Sequence, residues 1–138
     1  MKLIRSVLMG LVLLLSGIGS PAAAEQTTAQ STAKTTELSS AVKGRRVITF
    51  IYKKHARTVE PHALGIAKEG KPALLAWQAS GESSTESPPG WRVFLVEEIE
   101  GLTMSETRFT RRDDYHQGKS RGLKTIEVEA PAPEITKP

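Results

Sequence analysis

Six side chains between positions 52 and 92 have the chemistry to hold a ligand: Tyr52, Arg57, Glu60, His62, Trp91 and Arg92. The planar fork of Arg92 matches a phosphate or carboxylate in two-pronged fashion. The rings of Trp91 and Tyr52 can stack on a base or a sugar face. Brought to one groove, these groups would take a small anion or a short polymer that carries anionic groups. The competing reading is that Arg57 and Arg92 form surface pairs with Glu60, Glu97 or Glu98, which stabilise little.

Glu60 and His62 stand two positions apart, so a strand puts them on one face. A carboxylate beside an imidazole can move protons or hold a metal. His55 and His116, the other histidines, have no ligand-like spacing to His62. A structural hydrogen bond of His62 next to Pro61 is therefore the stronger expectation. The chain has no Gly-rich phosphate loop, serine nucleophile motif or zinc pattern. These absences favour a non-catalytic protein, and no cofactor or metal is expected. A hydrolase working through Glu60 and His62 stands third among the readings.

The elements that must position these groups follow from periodicity. Residues 45–66 read as two strands around the polar break Lys53-Lys54-His55. The second strand carries Thr58, Glu60 and His62 on one face and Arg57, Val59 and Pro61 on the other. Pro61 cannot donate a ladder bond, so its strand is expected at an edge or bent there. The apolar run 72–78 reads as a central strand, with Trp77 in the core. Residues 79–90 are a Gly, Ser and Pro loop. In residues 91–96, Trp91, Val93 and Leu95 share one face and Arg92, Phe94 and Val96 the other. A turn around Ile99 precedes a weaker strand at 103–109. The expected core is Phe50, Leu74, Leu75, Val93, Phe94 and Ile99.

The run Arg111-Arg112-Asp113-Asp114-Tyr115 is either a small anion-binding flap or, more simply, a solvated charge run. Residues 125–129 alternate like a strand, open between an edge pairing and a disordered tail. A short helix is expected at 37–43, with Leu38, Ala41 and Val42 on its apolar side, Thr36 as cap and Gly44 at its end.

The beginning of the chain reads as an address. Lys2 and Arg5 precede an almost wholly apolar stretch at 7–15, then small residues and Ala22-Ala23-Ala24. That order is a secretory signal, with the cut expected between Ala24 and Glu25. The apolar core is shorter than the roughly 20 residues a spanning helix needs, so an uncleaved anchor is the lesser reading. With no cysteine, neither a lipid-anchored precursor nor a disulfide framework is possible. The periplasm is the expected destination, with secretion as the alternative. No transmembrane segment is expected in the mature chain. The net charge of +4 falls to +2 without Lys2 and Arg5, so charge alone does not argue for nucleic acid.

Several of these residues occur in a known order. Gly44-Arg45-Arg46, Tyr52, Arg57-Thr58-Val59-Glu60-Pro61, Gly70, Leu74-Leu75-Ala76, Arg92-Val93-Phe94 and Glu97-Glu98-Ile99 follow one another. The pattern resembles that of WYL domains, small Sm-like β-barrels of bacteria regarded as sensors of nucleic acid or other ligands. The chain is also similar to short stand-alone bacterial proteins that pair V-E-P-H with a later G-W-(K/R)-x-F and a closing aromatic, here Tyr115. The resemblance spans about residues 38–109. It departs where Pro72-Ala73-Leu74 occupies the naming Trp-Tyr-Leu position, where Leu95 replaces a second arginine, and in having no helix-turn-helix segment.

The expected architecture is mainly β: a small five-stranded Sm-like barrel with one short N-terminal helix. Residues 1–24 are the signal peptide, 25–36 a disordered linker, 37–116 the barrel domain and 117–138 a flexible Pro-containing tail. The expected function is a non-catalytic exported binding module for a small anionic ligand or short polymer. The alternative is an envelope interaction module that docks a partner through an edge strand or its C-terminal tail.

Overall fold

A computed structural model describes residues 19–82, 87–116 and 121–133, with side chains from residue 29 onward. The basic start and apolar stretch of the expected leader lie outside the described residues, as do positions 83–86, 117–120 and 134–138. The chain divides into two compact units, Met1–Ala33 and Lys34–Pro138.

The described part of the first unit is helical. Helix α1, Gly19–Gly44, continues from it into the second unit. It runs through the span expected to be a linker, and Thr36 lies inside it rather than at its start. Between Pro21 and Gly44 no glycine or proline interrupts the chain, and Ala, Gln, Glu and Lys are good helix formers. The lack of large apolar residues in this stretch did not deny it a helical backbone. Leu38, Ala41 and Val42 are fully buried, as their spacing requires. Gly44 does not take the left-handed conformation at the helix end; Arg45 does, with φ 51°.

The described residues of the second unit form six antiparallel strands: β1 Arg46–Tyr52, β2 His55–Ala67, β3 Pro72–Gly81, β4 Gly90–Leu95, β5 Ile99–Arg108 and β6 Leu123–Glu129. A 3₁₀ turn, Val96–Glu98, joins β4 to β5. Hydrogen bonding runs β4-β3-β2-β1-β5, and β6 pairs with β2. The ladder is open, with no β4–β5 pairing, so it is one sheet and not the closed cylinder expected. It is nonetheless strongly curled. β4 and β1 lie three steps apart in the order, about 14 Å in a flat sheet. Yet the Tyr52 hydroxyl accepts a hydrogen bond from the Leu95 backbone N–H at 3.1 Å, and Tyr52 pairs with Ile99 at the start of β5.

Strand β2 is central, not an edge. Its first half pairs with β1 as far as Val59, and its second half pairs with β6 from Ala63. Pro61 falls at the handover, where no ladder bond is asked of its nitrogen, and the register against β3 shifts between Pro61 and Ala63. This is the expected bend, placed inside the sheet because β2 changes partners there.

Alternation along β3 separates two cores. Leu74 and Ala76 join Phe50, Tyr52, Phe94, Ile99 and the helix residues on one face. Ala73 and Leu75 join Ala63, Tyr115 and Leu123 on the other. Of the expected core, Phe50, Leu74, Leu75, Phe94 and Ile99 are buried, while Val93 is only partly so. Phe50, Tyr52 and Phe94 pack edge to face, with both Phe94 contacts at 5.0 Å between centroids. Such pairs add about 0.5–1.5 kcal/mol beyond the area they bury. Residues 123–129, left open in sequence, are a strand, so the β unit extends past position 116.

Candidate functional site

The six candidate residues do not line one groove. Trp91 and Arg92 are neighbours on β4, and neighbours on a strand point to opposite faces. Tyr52, Arg57 and Arg92 gather on the first face; Glu60, His62 and Trp91 gather on the second.

On the first face Arg57 is 5% exposed. Its guanidinium packs 5.6 Å from the Tyr52 ring centroid and 5.8 Å from that of Phe94. Nη1 donates to Gln78 Oε1 at 3.1 Å and Nη2 to the Tyr52 carbonyl at 3.4 Å. Nε is buried with no hydrogen-bond partner among the described residues. None of the three carboxylates expected near Arg57 neutralises it. Glu60 pairs with Arg112, Glu97 with Lys71, and Glu98 accepts from the Tyr52 hydroxyl. Burial lowers the Arg57 pKa, and the positive charge of Arg92 lowers it further. Burial likewise raises that of Tyr52.

Gln78 is part of this site and was missed in sequence, hidden at the end of an apolar run. It is fully buried, and its Nε2 donates to the carbonyls of Ser80 and Glu82. That fixes its Oε1 toward Arg57. Gly81, with φ 108°, lets the chain turn there; a Cβ at this position would collide with the Ala56 carbonyl.

The second face holds an aromatic cluster around His62, which is fully buried. The rings of Trp91, Phe109 and Tyr115 lie 4.8, 4.9 and 5.5 Å from the imidazole. The bulge at Pro61 turns His62 into this cluster. Its Nδ1 donates to the Glu60 backbone carbonyl at 2.8 Å, and its Nε2 accepts from the Arg112 backbone N–H at 3.1 Å. His62 thus makes a structural hydrogen bond beside Pro61, the stronger expectation, and the acid–base couple of the lesser reading does not form: the imidazole meets the glutamate's backbone, and the carboxylate holds Arg112. Burial drives the His62 pKa down to about 4. No cluster of three or more His, Cys, Asp or Glu able to hold a metal occurs among the described residues.

Residues 109–116 form a strap over this face. Trp91 Nε1 donates to Asp114 Oδ2 at 2.8 Å, a bond that holds the Asp114 carboxyl below its ordinary pKa. The Tyr115 hydroxyl donates to Glu129 Oε2 at 2.8 Å, and the Arg112 guanidinium covers Trp77. Trp77 is thus half-buried beneath an arginine instead of enclosed in the core. The charge run 111–115 is neither a free flap nor simply solvated.

No protein-family model, no curated protein and no solved structure matches the chain. Among the described residues no helix is long and apolar enough to cross a membrane.

Proposed function

We propose that the chain is a non-catalytic, exported binding module that takes a small anionic ligand, or a short polymer bearing anionic groups, at Arg57 and Arg92. The observation that carries this reading is the buried Arg57 guanidinium. It sits beside a second guanidinium, with no carboxylate partner of its own among the described residues. Burying a charge without a counter-ion is costly, and an anion bound there would remove both the cost and the repulsion. The reading keeps the WYL resemblance, with the curled sheet taken as an opened Sm-like barrel. It places the protein in the periplasm or outside the cell. Envelope glycan and extracellular nucleic acid both carry suitable groups.

Thermal-shift titration with phosphate, nucleotides, oligonucleotides and muropeptides tests it. A ligand at about a hundred times its Kd should stabilise the fold by about 2.7 kcal/mol. The effect should vanish in Arg92→Ala and persist in Arg121→Ala. Stabilisation no greater than that of ionic-strength-matched sodium chloride, or undiminished in Arg92→Ala, would reject the site.

A second reading is docking of a protein partner by strand addition. It is favoured by β4 and β5, each of which has one strand partner in the sheet.

A further inference from the structure

The second face of the sheet contains a slot shaped for a guanidinium, and the chain fills it with its own. The Arg112 guanidinium carbon stands 3.8 Å from the Trp77 ring centroid. Its Nε donates to Glu60 Oε1 at 3.1 Å. Trp91 stands edge-on to Trp77, 5.6 Å away at 81°, and closes one side.

The slot belongs to the sheet and not to the strap. Glu60 on β2 pairs with Trp77 on β3, and Trp77 pairs with Trp91 on β4. Three adjacent strands thus set a carboxylate and two indoles in a row. The occupant comes from a segment outside the ladder, and its mouth is open: the Arg112 side chain is 35% exposed and that of Glu60 18%. An indole face beside a carboxylate in a half-desolvated site selects a planar, weakly hydrated cation. An ammonium would give up more hydration and could not stack.

We infer that Glu60, Trp77 and Trp91 form a binding site for arginine side chains. The strap occupies it in cis through Arg112. An arginine from an extended segment of a partner protein occupies it in trans when the strap lifts. The inference is independent of the anion site on the opposite face.

The chain has no cysteine, so Asp113→Cys, at an exposed position of the strap, accepts a single spin label. In the labelled full chain, a hexapeptide bearing one arginine should increase label mobility, and its lysine counterpart should not. In unlabelled Arg112→Ala, N-acetyl-arginine amide should raise Tm and change tryptophan fluorescence saturably. Its preference over N-acetyl-lysine amide should be roughly tenfold or more. Adding Glu60→Gln should abolish the response. Should Arg112→Ala not fold, Arg112→Lys keeps a cation and the backbone tie to His62, and arginine amide should then displace the lysine. Equal responses to arginine and lysine, a response that survives Glu60→Gln, or peptide binding that leaves the label unmoved would each overturn the proposal.

Discussion

The backbone N–H of Arg112 donates to Nε2 of His62, fifty residues earlier in the chain. This bond exists only while the imidazole is neutral, because a protonated ring has no lone pair to offer. The other nitrogen already donates to the Glu60 carbonyl, so the tautomer is fixed from both sides. Arg112 and Arg111 add positive charge that disfavours protonation, and Asp114 opposes them.

Acid should therefore destabilise the fold through His62, whose protonation removes the bond that ties down the strap. Folded His62 takes up its proton near pH 4, whereas an unfolded chain does so near 6.5. Between those values the unfolded state binds more protons, so stability is complete above pH 6.5 and falls as pH drops toward 4. For a fully buried ring the loss is roughly 3 kcal/mol. Urea unfolding at pH 7, 6, 5 and 4.5 should show this slope, and His62→Gln should flatten it. An unchanged slope in that variant would assign the effect to other groups.

The β1–β2 turn is strained. Lys53 and Lys54 both occupy the left-handed region, with φ 49° and 69°, as a two-residue turn between Tyr52 and His55 demands. Lysine is a poor choice there, since a Cβ costs about 1–2 kcal/mol in that conformation. Lys54→Gly relieves it but loosens the unfolded chain. A net gain of about 0.5–1 kcal/mol is expected in urea unfolding. A loss would mean that the Lys54 side chain stabilises the hollow it lines with Ile51 and Glu97.

Gly65 decides whether β6 can pair. A Cβ at this position would fall on the Thr125 carbonyl. Gly65→Ala should cost about 1–3 kcal/mol by overpacking. It should also speed amide exchange through Leu123–Glu129 more than elsewhere. Gly90→Ala, where nothing lies within 4 Å of the added carbon, should leave both unchanged.

The chain's own residues determined a great deal: which residues of β2, β3 and β4 share a face, where the hairpin turns, which side of α1 is buried at Leu38, Ala41 and Val42, and that Pro61 either bends its strand or puts it at an edge. They even implied that Trp91 and Arg92 part company, since adjacent strand residues always do. What they could not supply were relations between segments far apart in sequence. The pairing of β6 with β2 depends on a backbone approach at Gly65, visible beforehand only as a glycine inside a strand. The settling of Arg112 on Trp77 and Glu60, and the isolation of Arg57 from its expected carboxylates, depend on which partners reach each group first. Periodicity is a local property of the backbone, whereas competition among charges for partners is resolved only once the sheet has curled and fixed their distances.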